Sequence, residues 1–296
     1  MNDFSHLIGA DFGTVTVLKE LGRGNMAAVF LAFQRTLKRQ VAVKVLAKSG
    51  LRDHVTAEQF RDEAEMIAGL SHPNIIPIFE MGETGEYYFQ VMQLVDGSDL
   101  HTMIRRRLRH PVPARRTIPV AQALSIALQT ISGLAYAHDE GIVHQDIKPA
   151  NILVEDRTGR PLIADFGIAK AQRSVHESQG LIIGTPFYLS PEQAGARPTD
   201  RRTDIYSMGV ILFELLAGTL PVREENVQEM LVRKLTQPQT LFTARPRDTS
   251  PCIDEELEEI ILRATAVRPI DRYQDCHLFH DDLERYRLQH PEYQNL

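Results

Sequence analysis

Asp146-Ile147-Lys148-Pro149-Ala150-Asn151, with Asp165-Phe166-Gly167 a short way downstream, decides the reading of this 296-residue chain. A carboxylate, an ammonium and an amide share one short stretch, and a second carboxylate follows. Asp146 can orient a hydroxyl and accept its proton. Lys148 can neutralise charge on a transferring anionic group. Asn151 and Asp165 offer the oxygen donors that a hard divalent cation prefers. Singly, each residue is as well explained by a turn or a helix cap. The spacing of all four together points to group transfer.

Upstream, Gly22-Arg23-Gly24-Asn25-Met26-Ala27 lies within an apolar–polar alternation over residues 14–47, which predicts three strands and two turns. A glycine-rich turn lets backbone amides approach phosphate oxygens, although Gly-x-Gly alone is equally a tight hairpin. Lys44 changes the balance. On a strand over 41–46, Ala42 and Lys44 share one face while Val41, Val43 and Val45 share the other. A lysine on a face otherwise fit for a core needs a charged partner. Residues 56–70 show helical spacing, with Phe60, Ala64 and Ile67 on one stripe. Glu63 stands one turn before Ile67, whereas Glu65 is rotated roughly 200° away. Glu63 therefore faces the core side of that helix.

In this order and spacing the motifs resemble the protein kinases, in particular the bacterial Hanks-type Ser/Thr kinases, over residues 12–290. The resemblance implies one α+β kinase domain over 1–296. A small N-lobe (about 12–92) would hold an antiparallel sheet plus one helix, joined by a hinge at 93–95 to a mainly helical C-lobe (about 96–290). It implies transfer of the γ-phosphoryl of ATP to Ser/Thr hydroxyls of protein substrates in bacterial-type signalling, with Mg²⁺, or Mn²⁺ in its place. Asp146, Lys148, Lys44 and Glu63 would be catalytic, Glu63 as the partner of Lys44, and Asn151 and Asp165 would hold the metal. Gly22, Gly24 and Ala27 would cradle phosphates, with Lys44 gripping them. Val29, Ala42 and Leu153 would sandwich adenine, beside a gatekeeper Met92 and connector residues Gln93 and Val95. Asp99 would reach the ribose. For the adenine, gatekeeper and ribose positions, plain packing is the competing explanation.

Gly184-Thr185-Pro186-Phe187-Tyr188-Leu189-Ser190-Pro191-Glu192 resembles the family's substrate-facing loop. Thr185 would bond Asp146 and Lys148, Glu192 would pair with Arg272, and Asp204 would tie down the catalytic-loop backbone. A second Asp-Phe-Gly, Asp11-Phe12-Gly13, precedes the glycine turn and is expected to be only a chain-entry turn. A nucleotide-binding pseudokinase or scaffold is the alternative; it would normally have lost one of Lys44, Glu63, Asp146, Lys148, Asn151 or Asp165, and all are present. A small-molecule kinase is disfavoured by the 184–192 segment.

Two departures matter. Ala27 stands where the family usually has a third glycine. Gln145 replaces the arginine that would read an activation-loop phosphate, and residues 168–184 contain Ser174 and Ser178 but no threonine. An active site that assembles without activation-loop phosphorylation is expected.

A net charge of −6 argues against a nucleic-acid binder, and 43% hydrophobic residues suit a soluble globular chain. Cys252 and Cys276 lack metal-ligand spacing. No apolar run approaches the ~18 residues of a bilayer span, 207–217 being short and interrupted by Glu214, and no secretory signal is visible. A cytoplasmic setting is expected, or the cytoplasmic domain of a longer membrane-anchored protein. Arg105, Arg106, Arg107, Arg109, Arg115 and Arg116 form a window without an acid. It is either a solvated insertion or a docking patch for an acidic partner or anionic lipid. Pro119 should open a long amphipathic helix, 203–217 should be a buried helix ending at Gly218, and Asp254 should begin another.

Overall fold

The computed structural model describes residues 4–24, 27–48, 66–112, 116–166, 187–222, 227–236 and 242–294. The three strands expected over 14–47 are β2 (Val15–Arg23), β3 (Ala27–Gln34) and β4 (Arg39–Ala47), preceded by β1 (Asp11–Phe12). With β5 (Ile78–Thr84) and β6 (Tyr87–Met92) they form an antiparallel sheet in the order β1-β2-β3-β4-β6-β5. Strand alternation sorts β4 as expected: Val41, Val43 and Val45 join Phe12, Phe30, Phe89 and Val91 in one apolar layer. Ala42 and Lys44 turn to the other face. Register places Val29 opposite Lys44 and Ala42 opposite Met92.

Asp11-Phe12-Gly13 is a strand and a turn, with Phe12 buried in that layer and Gly13 at φ +56°, where a side chain would be strained. The apolar run near 75–81 reads from its sequence as a strand, yet the strand begins only at Ile78. Ile75 bridges Ile163 in parallel, and Ile76 N donates to Ile163 O at 3.0 Å. Those isoleucines stitch the large sheet to a smaller one, β7 (Gly97–Asp99), β8 (Ile152–Glu155) and β9 (Pro161–Ile163). An apolar run does not say which neighbour will claim it. Of the helix expected over 56–70, residues 49–65 lie outside the described residues; 66–68 are helical, and Ile67 and Leu70 are buried against the helical half. Residues 93–95 lie in neither strand nor helix.

The second half contains α1 (Leu100–Leu108), α2 (Val120–Asp139), α3 (Pro191–Ala194), α4 (Arg202–Ala217), α5 (Val227–Thr236), α6 (Pro246–Thr249), α7 (Glu255–Ala264) and α8 (Cys276–Gln289). Pro119 directly precedes α2, where its missing N–H costs no helical bond. α4 is buried along nearly its whole length and stops at Gly218, whose left-handed φ of +66° lets its N–H reach Glu214 O at 2.8 Å. A Cβ on Gly209 would come within 2.8 Å of Ala264 Cβ and Thr265 Cγ2, so glycine permits α4 and α7 to pack closely. Asp254 caps α7, accepting from Leu257 N at 2.9 Å. One expectation is corrected: α2 is long and apolar enough to cross a membrane by length and composition, yet 61% of that stretch is buried in the protein. Its apolar residues face α4 and α8, and form the centre of the helical core.

Candidate active site

The loop between α2 and β8 is pinned from beneath by Asp204, in the first turn of α4. Its Oδ2 accepts from His144 N at 2.8 Å and its Oδ1 from Gln145 N at 2.7 Å, while His138 Nε2 lies 2.9 Å from Oδ2. Burial would raise the Asp204 carboxyl, but the His138 hydrogen bond and the other donors hold it below the usual range. These bonds support Gln145 at φ +66°, a left-handed conformation that is uncommon outside glycine. The expected tie between Asp204 and this loop is present.

His144 joins the two acidic segments. Its Nδ1 accepts from Asp146 N at 3.2 Å, so its Nε2 carries the proton and donates to Ala164 O at 2.8 Å. Its ring also packs on Phe166, with centroids 4.6 Å apart. Ala164 N in turn donates to Asn151 O at 2.8 Å. Thus the residue before Asp165 is bonded to both ends of the loop that carries Asp146.

Asp146 Oδ2 accepts from Lys148 Nζ at 2.6 Å and from Asn151 Nδ2 at 3.0 Å, and the same amide donates to Asp146 O at 2.8 Å. Across the cleft, Lys44 Nζ lies 2.8 Å from Asp165 Oδ1. The lysine side chain is 9% exposed and the aspartate 33%. Burial alone would raise the Asp165 carboxyl; the Lys44 ammonium outweighs it, with smaller help from His144 and Lys148, and holds the carboxyl below its ordinary range. Asp165 sits at φ +66°, a strain that its cross-cleft ion pair helps to offset. Glu63 and Gly167 lie outside the described residues, as do Asn25, Met26 and Thr185.

The apolar residues expected around adenine come together. Ala42 and Met92 are buried with Ile76 and Leu162, and Val29, Val95, Leu153, Leu94 and Ala164 pack against them. This cluster is separate from the core of either half. Ile76, Leu94, Leu162 and Ala164 were not anticipated, though Ala164 could have been found from its place beside Asp165. Gln93 N donates to Pro77 O at 3.1 Å and fixes the connector. Asp99 does different work from that expected of it: Oδ1 accepts from Thr102 N and Oδ2 from Thr102 Oγ1, both at 2.8 Å, so it caps α1.

In the glycine turn, Gly22 stands opposite Val29 and Gly24 N donates to Ala27 O at 2.8 Å. A Cβ on Gly22 would meet nothing within 4 Å, and its φ is ordinary. Neither packing nor backbone strain demands that glycine. Among the described residues, Asn151 Oδ1 and Asp165 Oδ2 have no hydrogen-bond partner. Unengaged oxygens of this kind, one of them on a carboxylate paired with an ammonium, suit a divalent cation.

The supporting pair is built differently. Glu192 Oε1 and Oε2 accept from Arg272 at 2.7 and 2.8 Å, and Thr203 Oγ1 donates to Oε1 at 2.9 Å. Burial would raise the Glu192 carboxyl; Arg272 reverses this and holds it low. Arg272 also donates to the carbonyls of Ala266, Arg202 and Val267.

The sequence and the fold resemble those of known proteins. The family model described as the protein kinase domain matches residues 15–283. The serine/threonine-protein kinase PrkC of Bacillus subtilis is 36% identical over 92% of this chain and 40% of its own length. A relative named as a tyrosine-protein kinase, MasK of Myxococcus xanthus, is 35% identical over 94% of this chain and 44% of its own. The crystal structure of the Mycobacterium tuberculosis PknI kinase domain superposes with a TM-score of 0.72 at 28% identity, covering 94% of this chain and 98% of that one. The chain thus spans less than half the length of these two curated relatives.

Proposed function

The chain belongs to the protein kinase family, and on that premise we propose that it is an ATP- and Mg²⁺-dependent protein serine/threonine kinase. The observation that carries this is the Lys44–Asp165 ion pair at 2.8 Å, which sets a phosphate-binding ammonium beside a metal-binding carboxylate. Asp146 orients the acceptor hydroxyl and takes its proton, and Lys148 offsets charge on the transferring phosphoryl group. Lys44 grips the nucleotide phosphates, with Glu63 as its helix partner. Gly22, Gly24 and Ala27 line the phosphates; Val29, Ala42, Met92, Gln93, Val95 and Leu153 line the base. Asn151 and Asp165 hold the cation, which when bound neutralises phosphate charge. Because Asp99 already caps a helix, its contact with ribose would use the remaining lone pairs of its carboxylate.

Radiolabelled ATP with a generic acceptor protein tests this reading against Asp146→Asn and Lys44→Met. Label that persists in both variants refutes it. The tyrosine-kinase name of one relative makes phosphoamino-acid analysis of the product part of the test. Phosphoserine or phosphothreonine is expected.

Three finer readings accompany it. Gln145 donates through Nε2 to Thr199 Oγ1 at 3.4 Å and brings no charge to read a phosphate, which supports activity without activation-loop phosphorylation. Ser174 and Ser178 lie outside the described residues; replacing both with Ala should leave activity within about tenfold of wild type. Second, Arg105, Arg106, Arg107 and Arg109 have no carboxylate partner among the described residues, and Arg116 Nε donates to His110 O at 3.0 Å. Arg115 lies outside them. This supports a docking site for an acidic protein segment, to be tested by exchanging these arginines for Ser and following the salt dependence of capture. Third, the chain works in the cytoplasm, alone or as the cytoplasmic part of a longer membrane-anchored protein; cell fractionation tests this.

A further inference from the structure

α5 has an exposed face, with Val232 and Leu235 half or more exposed, yet its Lys234 is 2% exposed. The Lys234 Nζ donates to Phe187 O at 2.8 Å and also to Leu189 O. Between them, Tyr188 O accepts from Ser207 Oγ at 2.8 Å, so three successive carbonyls are each held by a buried side chain. Tyr188 OH donates to Glu214 Oε2 at 2.6 Å. Ser190 then opens the capping box of α3, and Gln193 Nε2 donates to Gln145 O at 2.8 Å, one residue before Asp146. A continuous set of bonds therefore runs from α5, through residues 187–193, to the loop bearing Asp146.

The amine is costly where it stands. Burial pulls Lys234 down to about 7, with Glu192 opposing and Arg272 adding to the shift. The Tyr206 ring lies 5.4 Å from Nζ. A methionine would fill the space without that desolvation penalty. What an amine adds is donors for carbonyls that otherwise stay unpaired in the interior.

We propose that Lys234 is a positioning residue for the peptide acceptor: by anchoring the Phe187 and Leu189 carbonyls it fixes the segment that registers the acceptor hydroxyl against Asp146. This rests on the kinase reading above. The test compares wild type with Lys234→Met, using a Ser/Thr-containing dodecapeptide library as acceptor and hydrogen exchange as a second readout. Apparent KM for the peptides should rise about tenfold while KM for ATP stays within about twofold. Amide exchange at 187–190 should quicken about tenfold, with α4 unchanged and the melting temperature no lower. Unchanged exchange at 187–190, unchanged peptide KM, or a joint rise of both KM values with a lower melting temperature would overturn the proposal. Wild-type protein that labels no peptide overturns the kinase reading instead, and the exchange result then still decides whether Lys234 anchors the segment.

Discussion

Lys44 and Arg272 are both nearly inaccessible cations bound to carboxylates, yet they are built to opposite ends. Arg272 places all five of its N–H donors: two on Glu192 and three on backbone carbonyls. Lys44 has a single carboxylate, Asp165, among the described residues, and that carboxylate keeps one oxygen unengaged. A saturated cation has no capacity left and can only hold the fold. A cation with donors to spare, as Lys44 has among the described residues, can still meet a passing ligand. Among the described residues the same contrast separates Glu192, with both oxygens bonded, from Asp146, where only Oδ2 is engaged.

The contrast can be broken by experiment. Asp146→Asn should lower kcat about a thousandfold and leave the melting temperature almost unmoved; a comparable loss of stability would dissolve the distinction. Glu192→Ala should do the reverse, costing about 3–5 kcal/mol in urea unfolding because Arg272 would be left buried and unpaired. Lys234 gives a pH test. Its amine keeps a proton up to about 10.5 in the unfolded chain but only to about 7 in the folded one, beside Glu192, Arg272 and Tyr206. Between those values the unfolded state binds more protons, so stability should rise with pH. The rise from pH 7 to 9.5 should be roughly 3 kcal/mol larger in wild type than in Lys234→Met, read from urea midpoints. Asp254→Ala, which removes a helix cap, a bond from Tyr286 OH and a contact with His290 Nε2 at 3.5 Å, should cost about 1 kcal/mol without touching kinetics.

The cleft was legible because its logic is local. Strand alternation put Lys44 and Ala42 on one face, and the order of glycine turn, lysine, Asp146 loop and Asp165 identified the rest. Asp204 and the Glu192–Arg272 pair came through the family resemblance, and both stand where expected. Asp99 could have been read better: Asp-Leu-His-Thr has the spacing of a helix cap, and the structure uses it so. Lys234 had no local signal at all. Its burial depends on carbonyls more than forty residues earlier in the chain, and a lysine late in an amphipathic helix reads as solvated. Ile75 and Ile76 failed for a related reason, since strand spacing is silent on which sheet will recruit a residue. Glu63 was chosen by spacing alone and lies outside the described residues.

The pairing of β3 with β4 has one more consequence. Val29 faces Lys44 only because residues 35–38 span the hairpin with a fixed length, Lys38 adopting φ +50° to close it. Deleting one residue there, if the strand slid to compensate, would rotate every side chain of β4 through half a turn. Val43 would then project toward Asp165, and the Lys44 ammonium would enter the layer occupied by Phe30 and Phe89. A surface bend with no chemistry of its own thereby determines which side of a strand is charged, and an indel in it should abolish phosphate binding as surely as replacing the lysine.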